Sequence, residues 1–163
     1  MTAKTMAQSY TEQVHMVNHA DLNGTARLFG GRLLSWIDMT AGFAARRHSG
    51  RNITTAAIDE LRFIAPAYAN DMVVLHACVT YTGRTSMEVR VCTYVEAPSG
   101  VRRLINEAFV VIVALDENDR PAPVPPLRAE TEEEERIMRE AALRQQLRKE
   151  RLRALKDERG SEI

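Results

Sequence analysis

The sequence has few of the residues that mark specialised classes of protein. Its 163 residues include only two cysteines, eight glycines and six prolines, and aromatic residues make up 6%. Two cysteines exclude a disulfide-rich framework, and Cys78 and Cys92 lie in apolar segments where reduced thiols are expected. Basic and acidic side chains number 22 each, so the basic excess that is typical of nucleic-acid-binding proteins is missing.

Long hydrophobic runs are also missing. The longest apolar run, Phe109 to Leu115, is the length of a strand and far below the roughly 20 residues that a membrane-spanning helix needs. The first residues are polar and contain no apolar stretch of the kind found in a secretion signal. Together these features predict a cytoplasmic protein without a membrane or nucleic-acid partner.

Composition changes sharply near residue 128. A proline-rich stretch, residues 121–126, cannot continue a helix or a central strand. Residues 128–163 then carry ten acidic and ten basic side chains, whereas almost all the apolar runs lie before them. The sequence therefore predicts one domain over residues 1–127 and a charged tail over residues 128–163, joined by a stiff proline connector.

The periodicity of the first part predicts an α+β fold. Apolar residues recur at helical spacing after Gly30-Gly31, from Arg32 to His48, and Gly50 ends that pattern. Val-, Ile- and Thr-rich segments predict five strands, at about 10–18, 53–63, 72–81, 87–95 and 103–115. One long helix followed by four consecutive strands predicts an antiparallel sheet wrapped around that helix.

The charged tail is predicted to be a helix. Thr131 and Glu134 have the spacing of a capping box, with Glu132 and Glu133 in the first turn. Ion pairs at i,i+4 are expected for Glu132 with Arg136, Glu135 with Arg139 and Glu140 with Arg144. Its leucines, Leu143, Leu147, Leu152 and Leu155, form a broken stripe, which favours a solvated helix over a partner-binding one.

The motifs of several enzyme classes are missing from the chain. It has no phosphate-binding loop, no Gly-x-Ser-x-Gly nucleophile elbow and no metal-ligand spacing among its four histidines, so no metal is predicted. Any reaction would use carboxylates, amides, backbone donors and water. Asp38 is the unusual residue, since the helical pattern places a carboxylate on the apolar face, which is costly unless the group is paired or functional. The pattern supports a catalytic Asp38 and an Asp at the edge of the stripe, bonded to a distant Arg or Thr, equally well.

Three further features could bind a substrate, and each has an ordinary structural explanation. Gly30 and Gly31 would leave unpaired N–H donors at a helix start, or would only allow tight packing. Asn23 lies among turn formers and could simply form an Asx turn. The segment Gly83, Arg84, Thr85 and Ser86 could bind phosphate, or could be a plain hairpin turn.

Taken in order, these motifs resemble the hotdog-fold acyl-CoA thioesterases, in the acyl-CoA hydrolase branch, over residues 10–127. The matching segments are Asn23 with residues 28–38, residues 54–59, residues 63–66, residues 83–89 and residues 109–116. Two positions depart from the family pattern. Ala26 and Asn70 stand where glycine is common, and Ala26 puts the geometry of the Asn23 loop in question.

The resemblance implies a fold, an assembly and a reaction. It implies a hotdog whose active unit is a homodimer, with three dimers forming a hexamer, and hydrolysis of acyl-CoA to a free fatty acid and CoA without a cofactor. It assigns Asp38 as the general base and Asn23 of the other subunit as its partner. Gly31 N–H would hold the carbonyl oxygen, and Gly83, Arg84, Thr85 and Ser86 would receive the CoA end.

Other functions stay open at this point. Asp38 could attack the thioester directly to form an anhydride, instead of activating water. A hotdog dehydratase or hydratase would need a His near Asp38, and His48 lies only at the end of the helix. A non-catalytic acyl-CoA sensor would use the same groove without turnover.

Overall fold

The structure is a computed structural model that describes residues 1–160, with side chains described for residues 1–157. The chain consists of two compact units, with the boundary after Arg128. The elements of the first unit are β1 Lys4–Thr5, β2 Thr11–Met16, α1 Gly30–Ser49, β3 Asn52–Phe63, β4 Met72–Thr82, β5 Ser86–Glu96, β6 Arg102–Leu115 and β7 Leu127–Arg128.

Five strands form one antiparallel sheet in the order β2-β4-β5-β6-β3. Strands β4, β5 and β6 are joined by short turns, whereas β3 pairs with β6 from the far side and becomes an edge. The other edge is β2. The predicted α+β hotdog architecture, with an antiparallel sheet against one long helix, is confirmed.

Helix α1 covers one face of this sheet. Its buried stripe faces the strands and consists of Leu33, Trp36, Ile37, Thr40, Ala41, Ala44, Ala45 and His48. The helix ends because Gly50 adopts the left-handed conformation at φ 66°, and its N–H donates to the Arg46 carbonyl over 2.8 Å. The middle of β6, from Ile105 to Ile112, is buried throughout and is apolar except for Asn106 and Glu107.

The N-terminal residues and the proline connector pack against the C-terminal end of α1. Strands β1 and β7 pair in parallel, with Lys4 opposite Leu127. The Lys4 ammonium donates to the carbonyls of Arg47 and His48, at 3.0 and 2.8 Å. His48 is fully buried, and its Nε2 lies 2.9 Å from the Pro125 carbonyl.

The second unit is a single helix, α2, spanning Glu132–Gly160. Its predicted capping box is only half formed. Glu134 N–H donates to Thr131 Oγ1 over 3.2 Å, but the Glu134 carboxylate accepts from Glu130 N–H, not from Thr131. Residues 161–163, the last of the predicted tail, lie outside the described residues.

The ion pairs of α2 differ in part from those expected. The Glu135–Arg139 pair forms at 3.6 Å, whereas Arg136 pairs with Glu133 and Glu140 and not with Glu132. Glu133 lies one turn from Arg136 at i,i+3, which satisfies the same guanidinium. Leu143, Leu147, Leu152 and Leu155 are all exposed. Within the described part of the chain, no helix is both long and apolar enough to cross a membrane.

Candidate active site

Asp38 lies on the side of α1 that faces solvent in the isolated chain. The side chain is exposed and is not part of the buried stripe, so the expectation that it lies on the apolar face is wrong. The buried stripe runs through Trp36, Ile37 and Thr40. Helical spacing counted from Leu34 does not distinguish this row of residues from the row that contains Asp38. The carboxylate still has a defined orientation, because the Thr55 hydroxyl donates to its Oδ1 over 2.6 Å.

Thr55 is held beside Asp38 by an irregularity in β3. The pairing of β3 with β6 shifts by one residue between Thr55 and Ala57, which is a β-bulge. Bulges bend an edge strand and redirect side chains. Here the hydroxyl of Thr55 reaches the helix, so one acid and one hydroxyl form a fixed pair between α1 and β3.

The first turn of α1 has no side-chain cap. Phe29 occupies the N-cap position and makes no side-chain hydrogen bond to the turn. Its carbonyl accepts from Arg32 N–H and Leu33 N–H, and among the described residues the N–H groups of Gly30 and Gly31 are given no acceptor. Two phenyl rings border these glycines. A Cβ on Gly31 would lie 2.6 Å from Phe29 Cε1, and one on Gly30 would lie 3.4 Å from Phe63 Cζ. Glycine at position 31 therefore leaves the room that the Phe29 ring occupies.

Asn23 forms the Asx-type loop that its ordinary explanation predicts. Its Oδ1 accepts from Thr25 N–H, from the Thr25 hydroxyl and from Arg27 N–H, at 3.0, 2.8 and 3.2 Å. Ala26 takes the left-handed conformation at φ 59°, so the loop keeps the geometry that glycine usually provides there. No described residue accepts a hydrogen bond from the Asn23 side-chain NH2.

Asn23 lines an open cleft of about 270 Å³. The other walls are largely apolar and include Leu28, Leu33, Phe63 and Ile105. Asp38 is not among the residues that line this cleft. A single chain therefore does not bring Asn23 and Asp38 together, and their pairing across two subunits stays a prediction.

The turn Gly83–Ser86 joins β4 to β5 at the end of the sheet where β3 begins. Ser86 and Thr54 both pair with Val113 of β6, from opposite sides. Two strand spacings, about 10 Å, therefore separate the turn from the strand that carries Thr55. Gly83 N–H donates to the Ser86 carbonyl over 2.8 Å, and the Arg84 side chain is exposed.

Among the described residues, no histidine forms a hydrogen bond or ion pair with Asp38. His48 is enclosed against Pro125, and burial lowers its pKa below the usual value despite the Pro125 carbonyl. His15 stacks on Trp36 with ring centroids 4.3 Å apart, on the β2 side of α1, and burial lowers its pKa as well. In the described part of the chain, the His–acid pair that a hydratase would need is therefore not formed at Asp38.

Comparison with known proteins places the chain in a family. A thioesterase superfamily model matches residues 26–99. The chain is 42% identical over 134 residues to the uncharacterized acyl-CoA thioester hydrolase YkhA of Bacillus subtilis, covering 82% of this chain and 78% of that one. The chain belongs to the acyl-CoA thioester hydrolases of the thioesterase superfamily. The resemblance read from the sequence is confirmed.

Solved structures of acyl-CoA hydrolases share the fold over almost the whole chain. The enzyme of Bacillus cereus is 39% identical, with a TM-score of 0.88 and 96% of each chain covered. The enzyme of Staphylococcus aureus is 30% identical, with a TM-score of 0.89 and 95% of each chain covered, and was solved with butyryl coenzyme A, coenzyme A and coenzyme A disulfide. Variants of that enzyme with an aspartate, an asparagine or a threonine replaced by alanine have also been solved.

One residue of this acyl-CoA thioester hydrolase was missed by sequence reasoning. Thr55 stands in a motif that carries the family resemblance, yet no role is assigned to it from the sequence. The signal that could have found it is Asp38 itself, because an Asp at the edge of the apolar stripe needs a distant Arg or Thr as its hydrogen-bond partner. Which threonine it would be depends on the pairing of β3 with β6, which the sequence does not specify.

Proposed function

We propose that this chain hydrolyses acyl-CoA thioesters to a free fatty acid and CoA, with Asp38 as the general base. Membership in the acyl-CoA thioester hydrolases supports the reaction. The observation that carries the residue assignment is the 2.6 Å hydrogen bond that fixes the exposed Asp38 carboxylate on Thr55. An accessible acid with a fixed orientation is what activation of water requires.

The chemistry of a thioester suits this set of groups. Its carbonyl is electrophilic and a thiolate leaves readily, so no strong acid catalyst is needed. One Asp38 oxygen is held by Thr55, which leaves the other to accept a proton from water as the water attacks the carbonyl carbon. The C–S bond then breaks, and CoA leaves as the thiolate.

The start of α1 would stabilise the charge that develops on the carbonyl oxygen. The Gly31 N–H lies in an uncapped first turn, where the helix dipole is positive. The Asn23 NH2, whose own oxygen is occupied within its loop, would position the water or the thioester. About seven residues of helix, roughly 10 Å, separate Gly31 from Asp38 along α1, so one chain supplies the two groups to different places.

Two subunits would therefore complete each site, with Asn23 of one facing Asp38 of the other. Strand β3 is the edge through which we propose that two sheets pair, because an edge presents unpaired backbone groups. Exposed apolar side chains surround it, among them Phe29, Met39, Phe43, Phe63 and Ile64. Three such dimers would form the hexamer, and hexameric acyl-CoA thioesterases have the same fold, one with a TM-score of 0.89.

Co-expression of two inactive variants tests the shared site. Chains with Asn23→Ala and with Asp38→Ala, carrying different tags, should each be inactive as homodimers. Mixed dimers would contain one intact site, so random pairing should restore roughly a quarter of wild-type activity. Full inactivity of purified mixed dimers would contradict the arrangement.

The substrate would lie across this interface. The largely apolar cleft beside Asn23 suits an acyl chain. The turn formed by Gly83, Arg84, Thr85 and Ser86 would receive the CoA end, at the end of the sheet that carries Thr55. No cofactor takes part in these steps. Cys78 and Cys92 are reduced thiols and not a disulfide, which supports a reducing, cytoplasmic location.

Free-thiol release from short, medium and long acyl-CoAs tests the function directly. Asp38→Asn preserves shape and removes the base, so kcat should fall about 10²- to 10⁴-fold. An exposed residue of similar size, Asp119→Asn, is the matched control and should keep wild-type activity. Tight CoA binding without turnover in the wild type would favour an acyl-CoA sensor. Consumption of an enoyl-CoA substrate without release of a free thiol would favour a hydratase.

A single turnover in ¹⁸O-water distinguishes base from nucleophile. If Asp38 activates water, the label enters only the released acid. If Asp38 attacks the thioester, water hydrolyses the anhydride, and label can enter the Asp38 carboxyl group. Mass spectrometry of the peptide that contains Asp38 separates the two outcomes.

A further inference from the structure

Exposed apolar side chains also lie at the other edge of the sheet, on and beside β2. Within the strands of the sheet, all of which belong to the described part of the chain, the exposed large apolar side chains are Phe63, Val14, Met16 and Leu104. Phe63 belongs to the β3 edge, which the proposed dimer covers. Val14 and Met16 are 52% and 53% exposed, and nothing in the proposed dimer or in the proposed hydrolysis uses them.

These two residues of β2 lie on the face of the sheet that is turned away from α1. The residues that alternate with them face the helix, because the Thr40 hydroxyl donates to Gln13 Oε1 over 2.7 Å and the His15 ring stacks on Trp36. Side chains alternate between the two faces along a strand. Val14 and Met16 are therefore on the outer face, which α1 does not cover.

The strand register extends this apolar surface across four strands. On the outer face, Val14 lies opposite Val74, which lies opposite Tyr94. Tyr94 in turn lies opposite Leu104 of β6, which is 36% exposed. Direct cross-strand neighbours have Cβ atoms about 5 Å apart, so these side chains form one continuous row. We call this row, together with Met16, the β2 surface.

The charged groups beside this row are already paired within one chain. Arg102 Nε donates to the Glu96 carboxylate, and Arg102 Nη1 donates to Glu12 Oε2 over 3.4 Å. The same Glu12 oxygen lies 2.6 Å from His76 Nε2. Covering a charge is costly chiefly when the charge is left without a partner. Another protein surface can therefore cover the β2 surface and its ionic border together.

The symmetry of a hexamer requires a second contact on each chain. The proposed contact at β3 is twofold, so it joins two chains and no more. Three such dimers assemble only through a different surface. An apolar centre with a polar border is the usual composition of such a contact, and extended apolar patches with polar rims mark interaction sites. The β2 surface has this composition and lies at the sheet edge opposite the proposed dimer contact.

We propose that the β2 surface joins each dimer to the next in the hexamer, with a chain of the neighbouring dimer as its partner. The assignment rests on the dimer of the proposed function and adds the second contact that the hexamer needs. The apolar row forms the centre of this contact, and the ion pairs of Arg102 form its border. Because each proposed active site lies at the β3 contact, assembly at β2 can be removed without removing the sites.

Lysine substitutions on the β2 surface test the assignment in the whole 163-residue chain. The variant V14K/M16K places two positive charges in the contact, and light scattering should show dimers where the wild type forms hexamers at the same concentration. Thiol release from acyl-CoA per chain should stay within about threefold of the wild-type rate, because each proposed site is complete within a dimer. Lysine is common on edge strands, so the fold should be kept, and circular dichroism checks it.

The control is L143K/L147K, which introduces the same charges at two exposed leucines of α2 and should remain hexameric. A hexameric V14K/M16K, or equal dissociation of the control, would overturn the assignment. Dissociation of V14K/M16K to monomers without thiol release would place the active-site contact, and not the dimer–dimer contact, at β2. A wild type that is only dimeric would leave the β2 surface to a different partner and would also overturn it. A folded wild-type hexamer that releases no thiol, but separates into dimers in V14K/M16K, would refute the proposed hydrolysis and support the β2 contact.

Discussion

At the scale of single residues, the candidate site depends on how Thr55 and Asp38 meet. The carboxylate is exposed, so burial does not orient it. Among the described residues, its one hydrogen bond comes from the Thr55 hydroxyl, over 2.6 Å. The hydroxyl is on a strand and the acid on a helix. The pair therefore also reports whether β3 and α1 keep their relative position.

Replacing Thr55 should weaken catalysis without removing the base. A hydrogen bond to a charged group contributes about 1.5 to 3 kcal/mol, so Thr55→Ala should lower kcat about tenfold or more. Thr55→Ser keeps the hydroxyl and should restore most of the rate. The measurement is steady-state thiol release for both variants. If Thr55→Ser is as slow as Thr55→Ala, the hydroxyl is not the group that matters.

At the scale of elements, the sequence predicts the helix better than it predicts the face of the helix that is buried. Local chemistry predicts that the helix begins at Gly30 and is ended by Gly50, and the structure agrees on both. The placement of Asp38 on the apolar side is wrong, because Trp36 and Thr40, and not Leu34, complete the buried stripe. Spacing alone does not say which of two adjacent helical rows meets the sheet.

Two glycines of α1, one in the middle of the helix and one at its end, allow a matched stability test. Gly50 has φ 66°, where any side chain is strained, so Gly50→Ala should lower the free energy of unfolding by about 1 to 2 kcal/mol. Gly42 lies mid-helix, and a Cβ there would meet Ile53 Cδ1 at 3.5 Å, an ordinary contact. Gly42→Ala should instead be neutral or stabilising by up to about 1 kcal/mol. Urea denaturation measures both, and a loss in Gly42→Ala equal to that in Gly50→Ala would contradict this account.

An ion cluster ties the edge strand β3 to the interior of the sheet. The nearly buried Glu107 carboxylate on β6 accepts from Arg90 Nε on β5 over 2.8 Å and also from Arg62 on β3. Burial alone would raise the pKa of Glu107, and the hydrogen bonds from Arg90 and Arg62 outweigh it, so the pKa lies below its usual value. The sequence shows these charges but not their pairing, which depends on the strand order.

Removing Glu107 should therefore cost more than an exposed ion pair does. Glu107→Gln removes the negative charge that Arg90 and Arg62 share and leaves one neutral amide oxygen in its place, so the free energy of unfolding should fall by about 3 kcal/mol. Glu133→Gln, in an exposed pair on α2, is the control and should change it by less than about 1 kcal/mol. Equal changes in chemical denaturation would show that the cluster is no stronger than a surface pair.

At the scale of the whole molecule, the sequence predicts most of the helix and strands of the first unit but only half of the candidate site. Strand lengths, the helix and the turns follow from local patterns, and the family resemblance supplies their assembly. The joining of β3 to β6, which makes β3 an edge, depends on contacts far apart in the chain, such as Asn52 with Leu115. In the proposed shared site, this edge would bring the Asn23 of one chain to the Asp38 of a second copy.

The packing of the proline connector on α1 predicts a pH dependence of stability. His48 is fully buried with Nε2 on the Pro125 carbonyl, and burial, with the nearby Lys4 charge, lowers its pKa in the folded chain. The unfolded chain binds this proton below about pH 6.5. Between the folded pKa and about pH 6.5 the unfolded state therefore holds more protons, so the stabilisation is complete above pH 6.5 and is lost as pH falls.

Thermal unfolding between pH 8 and pH 5 tests this prediction with two histidine variants. The wild type should lose Tm as pH falls below about 6.5, and His48→Gln, which cannot take up the proton and keeps a donor for Pro125, should lose less. His15 also has a pKa lowered by burial, so His15→Gln measures its separate share of the slope. Glu107 and Glu12 have lowered pKa values too, but as carboxylates they act below the pH range scanned. A Tm that falls just as steeply in the combined variant His15→Gln/His48→Gln as in the wild type would show that neither ring couples folding to protons.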